Sequence, residues 1–85
     1  MKLFKFYTNS CCQCKRLNKE FEGFNLVPII PIDCEEDPDD LATKFQVRSL
    51  PTLVLVDDNG EFLRKFTGHI TRESVESIIK ADLRE

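Results

Sequence analysis

The spacing of apolar positions changes after Tyr7, and each later change marks a new element. Lys2 to Tyr7 reads as a strand, whereas Cys14, Leu17 and Phe21 recur three and four apart and predict a helix running to about Glu22. Thr8-Asn9-Ser10 is the turn into this helix, Lys15, Arg16 and Lys19 form its outward face, and Gly23 supplies its stop. Leu26 to Ile32 reads as a second strand, which Pro28 and Pro31 place at a sheet edge because proline cannot donate to the ladder. Asp37 can cap a short helix with Pro38 in its first position and Asp39 and Asp40 at its positive end; Leu41 and Phe45 face inward, and the helix ends near Gln46. Strand Leu53 to Val56 then turns through Asp58-Asn59-Gly60 into strand Glu61 to Phe66. Thr71 caps a last helix lined by Val75, Ile78, Ile79 and Leu83. The order βαβαββα predicts an α/β fold: parallel crossovers and a closing hairpin in a four-stranded mixed sheet, with helices on both faces. Phe4, Phe6, Phe21, Phe45, Phe62 and Phe66 fall at core spacing.

Cys11-Cys12-Gln13-Cys14 occupies the first strand-to-helix junction, where two cysteines three apart can open and close a disulfide. Backbone N–H groups and the positive end of the helix dipole favour thiolate there. In such motifs a thiol pKa falls from ~8.5 toward roughly 3.5 to 7.5, so Cys11 is the candidate nucleophile. Cys14, one turn on and facing the body of the protein, is the candidate resolving thiol. The competing readings are a structural zinc knuckle, with Cys12, Cys34 and His69 as the available extra ligands, and an interaction module with an idle dithiol. Zinc normally needs four ligands, and the second paired spacing of a zinc ribbon is missing. Cys12 reads as an exposed bystander, Cys34 as a small packed residue and His69 as a loop residue outside the active set.

Composition narrows the class. Eighty-five residues, 41% hydrophobic and 32% charged, fit one domain over 1–85. A net charge of −3 gives no reason to expect nucleic acid. Met1 to Lys5 leaves no apolar signal region, and no stretch reaches membrane-spanning length, so the expectation is a cytoplasmic monomer. Three of the four cysteines crowd into 11–14 and cannot staple distant loops, which favours redox chemistry over a secreted disulfide framework.

Three separated motifs resemble the thioredoxin fold family. Cys11-Cys12-Gln13-Cys14-Lys15 follows Phe6-Tyr7-Thr8; Val47-Arg48-Ser49-Leu50-Pro51-Thr52 is similar to the family's cis-proline segment; Asp58-Asn59-Gly60-Glu61 with Phe66-Thr67-Gly68 is similar to its hairpin and following glycine. The resemblance implies a minimal thioredoxin fold and dithiol–disulfide exchange on protein disulfides, with no metal or bound cofactor. It also implies that Pro51 is cis against the dithiol, that Leu50 offers its backbone to an extended substrate segment, and that Tyr7 and Gly68 flank the site. Reducing equivalents would then come from an NADPH-linked thioredoxin reductase.

Departures from the family pattern refine these expectations. The chain has no extra N-terminal strand and helix and in this is similar to glutaredoxins and to small archaeal and phage redoxins. Phe66-Thr67-Gly68-His69-Ile70-Thr71 stands where glutaredoxins carry a glycine pair and an acidic residue for glutathione, which favours a protein substrate. Gln13 is similar to the residue found in glutaredoxin-like redoxins that donate electrons to ribonucleotide reductase, making that enzyme an alternative partner. Ser10 precedes Cys11 where thioredoxins have Trp, and Lys5 stands where they place a buried carboxylate. A cation near Cys14 would favour thiolate and stabilise the reduced form.

Overall fold

The computed structural model describes residues 1–83, with Leu83 described by its backbone alone, so the inward role expected of the Leu83 side chain lies outside the described residues. The elements are β1 (Lys2–Tyr7), α1 (Cys12–Glu20), β2 (Ile29–Asp33), α2 (Leu41–Lys44), β3 (Thr52–Val56), β4 (Phe62–Phe66) and α3 (Arg72–Leu83). They form one four-stranded sheet in the order β2-β1-β3-β4. β1 runs parallel to β2, with Leu3 opposite Ile29 and Tyr7 opposite Asp33. Of the crossovers expected, this is the one that joins parallel neighbours: β3 is antiparallel to β1, with Lys5 opposite Leu53, and to β4.

Alternation along β1 and β3 divides the core between the two faces of the sheet. Leu3, Leu53 and Leu55 pack with Leu17 and Phe21 of the α1 region and with Val75 and Ile79 of α3. Phe6, Val54 and Val56 pack with Phe45, and Leu41 and Ala42 of α2 close that side. All five residues of β3 are buried, as a central strand covered on both faces must be.

Element ends differ from the sequence expectation for local reasons. α1 stops at Glu20, two residues early, because Phe21 takes the C-cap and Gly23 turns with φ +82°. β2 starts at Ile29 rather than Leu26: Leu26 and Val27 pack on the core, while the Pro28 carbonyl accepts the Leu3 N–H at 2.9 Å. Pro38 is not in the first turn of α2. The Asp37 carboxylate accepts the N–H groups of Leu41 (3.0 Å) and Ala42 (2.8 Å), and Asp40 takes a left-handed φ of +53°, so the helix begins three residues later. Phe62 is 48% exposed rather than core, because β4 is an edge strand; the Phe45 ring meets it edge-on at 6.4 Å.

Candidate active site

β1 is a central strand, and its C-terminal end delivers the chain to the start of α1. The Cys11 N–H donates to the Thr8 carbonyl at 3.2 Å, closing a turn through Asn9 and Ser10. Cys11 then occupies the N-cap with extended backbone (φ −85°, ψ 107°), and its Sγ accepts the Cys14 N–H at 3.1 Å. The sulfur thus does what a serine or aspartate oxygen does at an N-cap: it satisfies one of the orphan donors of the first turn. Cys11 and Cys14 are joined in a disulfide, with Cα atoms 5.2 Å apart. Cys11 is half-buried, whereas Cys14 is 3% exposed, packed into the first turn.

The electrostatics of the helix start favour an anionic sulfur. The first turn of α1 holds no acidic residue, so nothing there offsets the positive end of the dipole. Lys15, Arg16 and Lys19 follow on exposed positions of the same helix. Lys5 reaches this helix from below: its Nζ donates to Asn18 Oδ1, one turn beyond Cys14, and lies 5.9 Å from the Tyr7 ring centroid. Burial lowers the pKa of this amine below the ordinary lysine value. The side chain is thus held against α1 at a partly exposed position.

The expected site residues separate into two groups. Pro51 and Gly68 line a groove of about 320 Å³ together with Gln13, Arg16, Leu17, Glu20, His69 and Ile70. The Leu50–Pro51 peptide is cis, and Gly68 has φ +72°, a left-handed backbone that favours glycine. Behind Pro51, the buried Thr52 hydroxyl donates to the Ser49 carbonyl at 2.6 Å and fixes the loop. Leu50 and Tyr7 are not among the groove-lining residues, although the Leu50 carbonyl is bonded to Pro51. Leu50 is half-buried against the Phe6 and Phe45 cluster, and Tyr7 carries Lys5 near its ring while its carbonyl accepts the Cys34 N–H.

Arg16, Glu20 and His69 are groove residues that the sequence does not single out for the site. The α1 part was legible, since Gln13, Arg16, Leu17 and Glu20 share one face at helical spacing. No local pattern places the 68–70 loop opposite them. Cys12 is exposed, and Cys34 is half-buried just beyond β2. Burial, with Asp37 and Asp33 beside it, raises the Cys34 thiol pKa against an opposing hydrogen bond from Tyr7, so this sulfur is held as a thiol. Among the described residues no three His, Cys, Asp or Glu side chains are grouped to hold a metal ion.

A half-exposed sulfur at a helix N-terminus, bonded to a buried one and bordered by a cis-proline and a groove, defines a thiol–disulfide oxidoreductase on an α/β sheet. The thioredoxin family model matches residues 1–81, and the chain belongs to the thioredoxin family. A thioredoxin from Staphylococcus haemolyticus is 30% identical over 88 residues, covering 98% of this chain and 83% of its own. Bloodstream-specific protein 2 of Trypanosoma brucei brucei is 30% identical over 86 residues; the match takes in 95% of this chain but spans only 17% of that protein. Among solved structures, a mutant thioredoxin from Halobacterium salinarum superposes with a TM-score of 0.80 at 28% identity, covering 94% of this chain and 72% of its own. Members of the family act on disulfide substrates and are reduced by a reductase.

Proposed function

We propose that this chain reduces disulfides of protein substrates, with Cys11 as the attacking sulfur and Cys14 as the resolving one. The observation that carries this reading is the asymmetry of the pair: Cys11 is accessible at the N-cap, while Cys14 is buried beneath it. In the reduced protein the Cys11 thiolate attacks one sulfur of the substrate disulfide and releases the other as a thiolate, which takes up a proton. Cys14 then loses its proton and attacks Cys11 in the mixed disulfide. The second substrate sulfur leaves as thiolate, and two electrons have passed from this chain to the substrate. The groove along Pro51 and Gly68 gives an extended substrate segment a place beside the reacting sulfurs. An NADPH-linked thioredoxin reductase in the cytoplasm is the proposed electron source, since a dithiol reductant must be returned to its reduced state in a reducing compartment. Ribonucleotide reductase, favoured by Gln13 in the groove wall, is the particular substrate to test beside a general protein disulfide.

The test is turnover of a protein disulfide coupled to NADPH oxidation, run in parallel with thioredoxin reductase and with glutathione plus its reductase. Reductase-linked turnover is expected. Cys11→Ser should abolish it, and Cys14→Ser should instead accumulate a mixed disulfide with the substrate, seen by mass spectrometry. Turnover with glutathione alone would move the chain to the glutaredoxin reading. Retained turnover in Cys11→Ser would remove the assignment of the nucleophile.

A further inference from the structure

Resting on the function just proposed, we infer that Arg16 and His69 make the groove beside the disulfide selective for a carboxylate carried by the oxidised protein substrate within two residues of its half-cystine. Arg16 and His69 stand on opposite walls of the groove, the first on α1 and the second in the loop after Gly68. Both are exposed, and among the described residues neither side chain makes a hydrogen bond or an ion pair, so their donors are available to a ligand. Arg16 offers a planar fork of donors suited to a carboxylate, and an imidazole N–H can add a further bond.

The order of charges along α1 gives the selectivity a length. Helical rise is about 1.5 Å per residue, which puts Arg16 about 3 Å and Glu20 about 9 Å past Cys14 along the helix axis. An extended substrate advances about 3.3 Å per residue. For a segment that runs along α1 from Cys11 Sγ, which sits 3.1 Å from the Cys14 N–H, a side chain one or two residues from the reacting half-cystine meets Arg16, and one about three residues away meets Glu20. Glu20 also lines the groove without an ion-pair partner among the described residues, so it repels a carboxylate at that outer position. Lys15 on α1 adds positive charge at the inner end, while Lys19 in the last turn stands beside Glu20 and weakens its repulsion, although the whole chain carries a net charge of −3. The groove thus reads a carboxylate close to the disulfide and disfavours one farther out.

Fluorogenic peptide disulfides test this. The half-cystine is flanked by Asp, Asn or Lys at one, two or three residues on either side, and kcat/KM is measured with the full chain and its reductase. On one side, Asp within two residues should exceed Asn by about 1.5- to 5-fold, the range for one exposed charge pair, with Lys below Asn. At the third residue the order should reverse. The readout is the Asp-to-Asn ratio within each protein. That ratio should collapse toward one in Arg16→Gln, fall in His69→Gln, and shrink as salt is raised. Oxidised glutathione is a separate arm, because it presents carboxylates on a free tripeptide. Its turnover in preference to the Asp peptide would overturn the assignment to a protein segment. A ratio of one in the wild-type protein, or an unchanged ratio in Arg16→Gln, would overturn the inference while leaving the proposed reductase function in place. No turnover of any peptide while a protein disulfide is still reduced would overturn the inference alone, and no turnover of either would overturn both.

Discussion

Lys5 holds its ammonium group against α1 through a hydrogen bond to the exposed Asn18, which stands one helical turn past Cys14 along the helix. A cation there stabilises thiolate and therefore the reduced form, which makes the couple more oxidising. Lys5→Met should lower the midpoint by about 10 to 30 mV in a dithiol redox titration at neutral pH, where ~30 mV corresponds to ~1.4 kcal/mol for this two-electron couple. An unchanged midpoint would reduce Lys5 to a packing role. Lowered amine pKa has its own consequence for stability. Burial disfavours the charged form, so the cost is present below the folded-state pKa and is relieved as pH rises from there toward the unfolded value of 10.5. The dithiol itself could be read from the spacing of Cys11 and Cys14, because a reversible disulfide in one helical turn is local chemistry. His69 could not, because a lone histidine after a glycine has no periodicity to betray what it faces.

α2 shows how an element depends on residues outside its own span. It has four residues, no acidic side chain in its first turn and no side-chain cap from Asp40, so it is too short to form without outside support. Asp37 supplies that support by accepting two of its N–H groups, and Lys65 of β4 donates to the Phe45 and Gln46 carbonyls at the other end, at 3.4 and 3.2 Å. Asp37→Ala should cost about 1 to 2 kcal/mol in urea unfolding, the usual value of an N-terminal capping carboxylate. Asp37→Asn, which keeps one acceptor, should lose less. Asp37 was legible as a capping residue, but the start of the helix was not. The expected Pro38 position follows a general preference at helix N-termini, whereas the carboxylate reaches over a turn closed by the Asp40 N–H to the Asp37 carbonyl at 3.2 Å.

At the scale of the whole molecule, two clusters on opposite faces of one sheet hold the active-site loop ends together. Ile79 of α3 is fully buried against β3 and the α1 side of the sheet. Ile79→Ala should destabilise by about 2 to 5 kcal/mol, a large share of the 5 to 15 kcal/mol typical of a domain, and thermal unfolding should show a melting point lower by ~10 °C or more. Arg72 adds a polar tie from α3, donating to the Glu22 carbonyl at 2.6 Å and the Gly23 carbonyl at 3.4 Å while pairing with Glu76. Hydrophobic period, turn residues and cysteine spacing determined the element order, the mixed sheet and the dithiol at a helix start, because each is fixed by neighbours a few residues away. The antiparallel course of β3 against β1, the exposure of Phe62 on an edge strand, the anchoring of Lys5 on Asn18 and the meeting of Arg16, Pro51 and His69 around one groove were decided only by tertiary structure. Each joins residues far apart in the chain, and side-chain type or spacing along a sequence carries no information about which distant surface will lie opposite.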